Sequence, residues 1–468
     1  MFGKGFQCFD YLKQVLIADA MNFNMDVQSY RDLNIFTSTS GSDPIFNIFR
    51  ESRTLGGREV IRTMMGQPST DLDFLNRRKE AIQYFSEQRI ALDIRPEQLD
   101  LIEHYLKFNK AYSRNNLLDS LVDFLRSRSG NDYYTISTGL RHLIRLLKYL
   151  DGFINTLLSE AAPEYLQGLG QRISGIINSE ALKGAREWNE KKLRFYQVSR
   201  LDHVCRGKEK TAMKELIQLV YELDAFETIS NVALKKGWCF PVYSADEEVR
   251  VTLTGMFHPE LAQPVSNDLL LKKEENITFL SGSNMAGKSS LLKSLGLVIY
   301  LSHLGFPVPA ERMETTIFNG LLTTINLPDN IGQGLSHYYS EVKRVKAAVS
   351  SLLEQDRMFI IFDELFRGTN VKDAFDASLL IISELSRIHN SIFFISTHIV
   401  ELAAELRHFE NISFKYMDTF FKDERPVFTY KLKEGVSKER LGMYIIQQEG
   451  IIDIIRQVSK KKGDLSSC

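Results

Sequence analysis

Ten consecutive residues, Ser281 to Ser290, have the types and spacing of a phosphate-binding loop. Gly282 is followed by four residues and then by Gly287, Lys288 and Ser289, which is the P-loop spacing. Glycines let backbone N–H groups close around phosphate oxygens, and a helix N-terminus adds a favourable dipole. The pattern predicts a nucleoside triphosphate site made of Gly282, Ser283, Asn284, Met285, Ala286, Gly287, Lys288, Ser289 and Ser290.

Within this loop two side chains have distinct predicted roles. Lys288 is expected to reach the β- and γ-phosphates, and the Ser289 hydroxyl is expected to ligate Mg²⁺. The loop is preceded by the apolar stretch 277–280 and followed by leucines at helical spacing, which is the strand–loop–helix context that the motif requires. A plain glycine-rich turn is the alternative, and that context argues against it.

A second acidic motif lies about 75 residues further along the chain. The apolar run Met358 to Phe362 ends in Asp363 and Glu364. In nucleotide hydrolysis such a pair holds Mg²⁺ through water and polarises the attacking water, roles that we assign to Asp363 and Glu364 respectively. On its own, Asp-Glu after a strand is more often a charged turn. The assignment of Asp363 and Glu364 to nucleotide hydrolysis therefore depends on the phosphate-binding loop earlier in the chain.

Two further motifs have phosphate-binding chemistry. The strand predicted at 391–395 leads to His398, and a histidine at the carboxyl end of a strand in an open α/β sheet faces the nucleotide. Gly334 and Ser336 open a predicted helix, where a hydroxyl and free N–H groups suit a phosphate. A surface or core histidine and a simple helix N-cap are the respective alternatives.

The elements that must position these residues change in character along the chain. Apolar residues at helical spacing predict long helices in the first half, including the stripes 140–157 and 213–223. From about residue 240, short β-rich runs alternate with helical segments, which predicts an α/β domain with a largely parallel sheet. These runs are at 250–253, 277–280, 358–362 and 391–395.

Composition narrows the class of protein. With 44% hydrophobic and 25% charged residues the chain has an ordinary globular composition, and its net charge of −1 requires any nucleic-acid contact to use local basic patches or encirclement. Four scattered cysteines show no paired metal spacing. Apolar runs stay well below the roughly 20 residues of a membrane span, and charges at Lys4, Asp10 and Lys13 argue against a signal peptide. We therefore expect a cytoplasmic protein without a membrane partner.

The ordered motifs resemble those of the MutS mismatch-repair ATPases, which belong to the ABC ATPase superfamily. The resemblance covers most of residues 255 to 456, with a weaker likeness at 27–90. It rests on Gly282–Ser290, the Gly-Phe-Pro-Val-Pro-Ala stretch at 305–310, Gly334–Glu341, Asp363–Thr369, Ser396–His398, and Gly435–Ser437 with Leu441-Gly442. It implies an α/β P-loop (ABC-type) ATPase domain at 241–468, with C-terminal dimerisation helices, preceded by an all-α core/lever domain at 27–240 and an N-terminal extension at 1–26.

The resemblance also implies roles for single residues. ATP and Mg²⁺ become the ligands, Lys288 and Ser289 the phosphate and metal contacts, Asp363 the metal-water ligand, Glu364 the catalytic base and His398 the switch histidine. Ser336 resembles the signature serine that reaches the γ-phosphate of the partner subunit's nucleotide. The implied active unit is therefore a dimer, most simply a homodimer formed through the ATPase domain.

Several departures from the family pattern affect the functional interpretation. Only some 26 residues precede the core, so the mismatch-reading and connector domains are expected to be missing, and the clamp is expected to be reduced or absent in residues 91–237. No Smr-like tail is expected after residue 456. Ser283, Ala286 and Phe366 replace a proline and two glycines of the family, and none of these changes removes a catalytic group.

The leading hypothesis is an ATPase whose nucleotide state moves helical levers around mismatched or branched DNA, in mismatch repair or related DNA maintenance. Basic residues on one predicted lever stripe and nearby are the candidate DNA-backbone contacts, with a solvated helix face as the alternative. These residues are Arg141, Arg145, Lys148, Arg194, Arg200 and Arg206. The second hypothesis is a nucleotide-switched scaffold that binds a protein or RNA partner and reads no mismatches. An ABC transporter subunit is disfavoured by the short segment between the two nucleotide motifs.

Overall fold

The chain divides into a helical unit and a unit that contains the sheets. The computed structural model describes residues 23–37, 43–109, 131–283, 285–325, 337–422, 425–437 and 448–456. Of these, residues 43–241 and 301–308 form the helical unit, and the rest form the sheet unit. The division falls beside the boundary expected near residue 240.

The first described helix, α1 (Val27–Asp32), belongs to the sheet unit, whereas the expected domain scheme placed it with the helices. Its polar side chains provide the reason. Asp32 Oδ2 accepts hydrogen bonds from the Thr323 hydroxyl at 2.8 Å and the Ile325 N–H at 2.9 Å. The Ser29 hydroxyl accepts from the Thr323 N–H at 2.9 Å. A buried carboxylate needs such partners, and these tie α1 to a strand of the sheet.

The helical unit has the long helices that the apolar stripes predict. The stripe residues Leu140, Leu143, Leu147 and Leu150 are fully buried, because leucines three and four positions apart share one face of a helix. The helices are α2 (Leu55–Met65), α3 (Leu72–Glu87), α4 (Pro96–Leu106), α5 (Asn131–Leu157), α6 (Glu164–Ile177), α7 (Glu180–Lys183), α8 (Phe195–Asp202) and α9 (Lys210–Lys236), with a π-helical turn at His203–Lys208.

Helix α2 begins where a buried carboxylate of α9 meets the backbone. Asp224 accepts hydrogen bonds from the Thr54 N–H at 2.9 Å and the Thr54 hydroxyl at 2.6 Å. Thr54 in turn caps the helix by accepting from the Gly57 N–H. A β-carbon at Gly57 would lie 2.2 Å from the Asp224 carboxylate, so the close approach requires glycine there.

The sheet unit contains a six-stranded and a four-stranded sheet. The strands are β1 (Val242–Tyr243), β2 (Arg250–Met256), β3 (Asn267–Lys272), β4 (Ile277–Ser281), β5 (Arg312–Thr315), β6 (Gly320–Thr324), β7 (Met358–Asp363), β8 (Ile392–Thr397), β9 (Ile412–Lys422) and β10 (Arg425–Glu434). The larger sheet has the order β10-β9-β4-β8-β7-β6, parallel throughout except for the antiparallel edge pair β9–β10, and the smaller has the order β1-β5-β2-β3. The largely parallel sheet expected after residue 240 is therefore present.

Helices follow the strands of the larger sheet. They are α10 (Lys288–Ser302), α11 (His337–Glu354), α12 (Val371–Leu385) and α13 (Leu402–Leu406). The central strands β4, β7 and β8 are buried along almost their whole length, as expected for parallel strands inside a layered α/β unit. Among the described residues, no helix is long and apolar enough to cross a membrane.

Candidate functional site

The glycine-rich loop, residues 282–287, joins β4 to α10, which confirms the predicted strand–loop–helix arrangement. Gly282 has a φ of +149° and Gly287 a φ of +94°, a region that favours glycine. A β-carbon at Gly287 would also lie 3.0 Å from the Tyr430 ring. The positive φ therefore favours glycine at Gly287, and a β-carbon there would also press against the Tyr430 ring.

Lys288, the first residue of α10, folds back over this loop. Its side chain is only 4% exposed, and Nζ donates to the carbonyls of Gly282 at 2.6 Å and Ser283 at 3.3 Å. The Glu364 carboxylate lies 3.8 Å from Nζ. Burial lowers the pKa of Lys288, while the charges of Glu364 and Asp363 oppose that shift. The loop thus encloses a buried ammonium group.

Asp363 lies at the carboxyl end of β7, beside the first turn of α10. The Ser289 hydroxyl donates to Asp363 Oδ2 at 2.6 Å, and the Ser396 hydroxyl donates to Asp363 Oδ1. Burial raises the pKa of Asp363 above its usual value, and the two hydroxyl hydrogen bonds act in the opposite direction. The predicted pair of Ser289 and Asp363 is therefore brought together in the structure.

Ser396 is a functional candidate that lies in the motif Ser396–His398 but for which the sequence predicted no role. The parallel register pairs Asp363 with Ser396, so the two side chains emerge at the same edge of the sheet. The signal was present in the sequence, since the carboxyl ends of adjacent parallel strands meet at one edge.

Glu364 follows in a left-handed backbone conformation, with a φ of +55°. Its N–H donates to the Ser396 carbonyl at 3.0 Å. Its carboxylate lies between two cations, with Oε1 3.8 Å from Lys288 Nζ and Oε2 3.4 Å from Arg367 Nη1. The backbone and these two charges hold the carboxylate beside the glycine-rich loop.

Phe366 also has a positive φ, +60°, at a position where the resembled family has glycine. A bulky residue in this conformation costs on the order of 1–3 kcal/mol, and the surroundings must compensate. Phe366 is 4% exposed and its ring lies edge-on to Tyr338, with centroids 5.8 Å apart. Burial of the aromatic ring offsets the backbone strain.

Other predicted site residues have less definite positions. His398 is exposed just beyond the end of β8. Ser289, Ser290 and Met285 are exposed along the loop and the start of α10, whereas Ala286 is buried. Asn284 and Ser336 lie outside the described residues.

A cavity of about 490 Å³, which the sequence did not predict, lies next to the loop. Ligand pockets are typically concave and mostly apolar with a few polar groups, and this cavity has that character. Burial lowers the pKa of His258 to about 4, so this lining residue is neutral at pH 7. The lining includes Met256, His258, Leu261, Lys288, Ser289, Met417 and Tyr430.

The donor set also fits the expected metal ion. Within the described parts of the chain, no three or more His, Cys, Asp and Glu side chains are grouped to hold a metal. Mg²⁺ is usually held by one or two protein ligands plus phosphates and waters, so the hard oxygens of Ser289 and Asp363 are a suitable pair.

The basic residues proposed for DNA contact separate into exposed and buried groups. Arg141, Arg145, Arg194 and Arg200 are exposed. Lys148 is also exposed, and it donates to the Glu190 carboxylate at 2.9 Å.

The position of Arg206 contradicts the expectation that it contacts a DNA backbone. It is 6% exposed, and its guanidinium donates to both Asp202 carboxylate oxygens, at 2.6 and 2.7 Å. Because this guanidinium is buried and neutralises a buried carboxylate, Arg206 stabilises the π-helical turn and is not presented to a DNA backbone.

Known proteins match the part of the chain that contains this site. The family model described as MutS domain V matches residues 278–466. The DNA mismatch repair protein MutS of Thermotoga maritima is 26% identical over 250 residues, which cover 53% of this chain and 31% of that protein. The corresponding protein of Aquifex pyrophilus is 27% identical over 289 residues, covering 61% and 33% respectively.

A third relative, the DNA mismatch repair protein MutS of Persephonella marina, is 28% identical over 238 residues, covering 50% of this chain and 27% of that protein. The matched region spans about a third of the length of these relatives. Together the matches show that about half of this chain is similar to MutS proteins and that residues 278–466 are similar to MutS domain V.

Proposed function

We propose that this chain is a MutS-type ATPase of the P-loop, ABC-type fold that binds and hydrolyses MgATP at the glycine-rich loop. The observation that carries the proposal is the contact between Ser289 and Asp363, 2.6 Å long, beside the buried Lys288 and Glu364. Each of the two sequence motifs could alone be an ordinary turn. In the structure they meet at one edge of a parallel sheet, where ligands of α/β proteins bind.

Each residue then has a defined task. Lys288 exchanges the loop carbonyls for phosphate oxygens, while the N–H groups of the loop bind the remaining phosphate oxygens. Ser289 and Asp363 are the residues that would hold Mg²⁺, and the ion when bound would neutralise charge on the phosphates. Glu364 accepts the proton of the attacking water. The adjoining cavity is suited to the nucleoside.

We further propose that two copies of the chain share their ATP sites and that closure moves the helical unit on mismatched or branched DNA. Ser336 is assigned to the partner's γ-phosphate and His398 to sensing its loss. ATP held between two subunits stabilises the closed dimer over the open form, because it binds the two states differently. Arg141 and Arg145 are the exposed basic side chains favoured for backbone contact.

A second candidate function is a nucleotide-switched scaffold for a protein or RNA partner. It is favoured by the net charge of −1 and by the pairing of Lys148 with Glu190 and of Arg206 with Asp202, which reduces the free basic surface. Plain, mismatched and branched DNA compared in one ATP-turnover assay separate the two functions. Stimulation by one of the DNA forms supports the DNA-coupled ATPase, and stimulation by a protein or RNA partner with none by DNA supports the scaffold.

Nucleotide binding tests the site itself. Titration of MgATP into the purified protein, followed by calorimetry, is expected to give saturable binding that Lys288→Ala abolishes. Lys346→Ala, which removes an exposed lysine from α11, is the matched control and should bind as the native chain does. Equal binding by native protein and Lys288→Ala would exclude the proposed site.

A further inference from the structure

Tyr430 has a backbone conformation that burial does not offset. Its φ is +56°, in the left-handed region that bulky side chains adopt only as outliers. Phe366 has a similar φ and a buried ring, whereas Tyr430 is 44% exposed. Strained residues that persist in a fold cluster at ligand sites, and Tyr430 lines the cavity of about 490 Å³ beside the glycine-rich loop. The cavity therefore accounts for this conformation better than core packing does.

A bulge in the edge strand β10 produces the conformation. Between two paired positions β10 has three residues, 429–431, where β9 has one, Asp418. Bulges re-aim a side chain and are frequent next to functional sites. The Tyr430 ring lies against the glycine-rich loop, where a β-carbon at Gly287 would be 3.0 Å from it. The bulge thus places an aromatic ring in the cavity wall, next to the phosphate-binding loop.

One buried side chain of β3 holds this bulge in place. Asn267 is 7% exposed, its Nδ2 donates to the Tyr430 carbonyl at 3.0 Å, and its Oδ1 accepts from the Leu432 N–H at 2.7 Å. A bulge leaves backbone groups without ladder partners, and an asparagine amide offers both a donor and an acceptor to replace them. Asn267 therefore fixes the backbone on both sides of Lys431 and, with it, the direction of the Tyr430 side chain.

The bulge is also tied to the neighbouring strand. The Thr429 hydroxyl donates to the Asp418 carbonyl at 2.9 Å and accepts from the Lys431 N–H at 3.2 Å. These contacts hold the backbone and leave the Tyr430 ring to the cavity. The ring is therefore positioned before any ligand binds.

We propose that Asn267 is a positioning residue that holds the β10 bulge, so that the Tyr430 ring forms one wall of the cavity against the planar base of the bound nucleotide. This inference rests on the proposed nucleotide site at the glycine-rich loop. An aromatic face stacks on a nucleobase, and a wall that is fixed beforehand adds affinity because less of the protein has to be ordered on binding. Asn267 thus acts on the nucleoside part of the ligand, whereas Lys288 acts on its phosphates.

Two probes separate these parts in calorimetric titrations of the full chain: MgATP, and inorganic tripolyphosphate with Mg²⁺. Tyr430→Ala is expected to weaken MgATP binding by about 10-fold to 100-fold, the usual effect of removing a stacked aromatic ring. Asn267→Ala should weaken it by about 10-fold, because the ring remains but its direction is no longer fixed. Each variant should bind tripolyphosphate within about threefold of native, since the phosphate contacts are unchanged.

Further variants distinguish positioning from a general structural role. The double variant of Asn267→Ala and Tyr430→Ala should bind MgATP no more weakly than Tyr430→Ala, because Asn267 acts through the ring. Tyr430→Phe keeps the aromatic face and should recover most of the affinity that Tyr430→Ala loses. In turnover, Asn267→Ala should raise KM for MgATP far more than it lowers kcat. Asn390→Ala, which removes an exposed asparagine just before β8, is the matched control.

The outcomes separate this inference from the proposed function. If the native chain binds neither MgATP nor tripolyphosphate, the proposed site fails and this inference fails with it. If the native chain binds MgATP and Asn267→Ala binds it equally well, the inference is overturned and the nucleotide site stands. An equal loss of both ligands in Asn267→Ala also overturns it, because the residue then supports the fold or the loop.

Two contingencies have their own decisive measurements. If tripolyphosphate binds the native chain too weakly to measure, the division of the effect between KM and kcat decides, and a loss confined to kcat overturns the inference. Should Asn267→Ala not fold, Asn267→Ser replaces it, since a hydroxyl can bond to only one of the two backbone groups at a time. Native MgATP affinity in Asn267→Ser then overturns the inference.

Discussion

The hydroxyl of Ser289 donates to Asp363 across 2.6 Å, although the two residues are 74 positions apart in the chain. Ser289 lies in the first turn of α10, the helix that follows β4. Asp363 ends β7, which is separated from β4 in the sheet by one strand, β8. The sheet order β4-β8-β7 therefore joins a phosphate-binding motif and an acidic motif into one site. Ser396, from the strand between them, donates to the same carboxylate.

The burial of the Asp363 carboxylate predicts that the stability of the nucleotide-free protein depends on pH. The folded-state pKa of Asp363 is raised above 3.8, so its contribution to stability is fully present below pH 3.8 and is lost as pH rises through the folded pKa. Asp363→Asn removes this titration. The variant should therefore gain stability relative to the native chain as pH rises from about 4 upward.

Chemical denaturation of both proteins at a series of pH values measures this difference. A constant difference between Asp363→Asn and the native chain at every pH would contradict the prediction. The same substitution should abolish hydrolysis at all pH values, because the carboxylate charge that would hold Mg²⁺ through water is lost.

The buried ion pair of Arg206 and Asp202 predicts a large effect on the helical unit. Arg206→Met leaves a buried carboxylate without its cation and is expected to cost about 3–5 kcal/mol of unfolding free energy. Arg200→Met, at an exposed position of α8, should change it by no more than about 0.5 kcal/mol. Both tryptophans, Trp188 and Trp238, lie in this unit, so urea unfolding followed by tryptophan fluorescence reports on it.

If Arg206→Met and Arg200→Met unfold at the same urea concentration, the ion pair of Arg206 and Asp202 has no structural role. A loss of DNA affinity in Arg206→Met without loss of stability would return this residue to the set of DNA contacts.

The exposed arginines of α5 predict a salt-dependent contribution to DNA binding. Replacing Arg141 and Arg145 together by alanine should weaken binding to every DNA sequence and lower the slope of log affinity against log salt by about one per lost phosphate contact. Fluorescence anisotropy with a labelled duplex at several salt concentrations measures the slope. An unchanged slope would assign these side chains to a solvated helix face.

The strained backbone at Phe366 predicts an unusual order of stability among substitutions. Both Phe366→Ala and Phe366→Gly lose the buried ring, at a cost of about 3–5 kcal/mol for the alanine variant. Glycine tolerates a φ of +60°, so Phe366→Gly should be more stable than Phe366→Ala by about 1 kcal/mol. Denaturation followed by circular dichroism compares them, and an alanine variant as stable as the glycine variant would argue against the strain.

The sequence predicted those elements whose signals are local. The stripe of leucines at 140–150 predicted the buried face of α5, and the glycine and lysine spacing at 282–288 predicted the loop between β4 and α10. Strands β7 and β8 were predicted to within one or two residues, because continuous apolar runs bounded by polar residues define buried parallel strands.

Other features depend on contacts between distant residues and could not be predicted locally. Arg206 has the sequence context of an exposed helical arginine, and only its approach to Asp202 in the π-helical turn shows that it is buried. From the sequence, helix Val27–Asp32 is expected to belong to the helical half of the chain. Its hydrogen bonds with Thr323 instead place it in the sheet unit. The carboxylate of Glu341 meets Arg367 only because α11 returns to the end of β7.

The central claim is that Glu364 is the base for MgATP hydrolysis at this site. Steady-state turnover at saturating MgATP, measured for the native chain and for Glu364→Gln, tests it most directly. We expect hydrolysis by the native chain, and a loss of about 10²-fold to 10⁴-fold in Glu364→Gln with nucleotide binding retained. Equal turnover by the two proteins would contradict it.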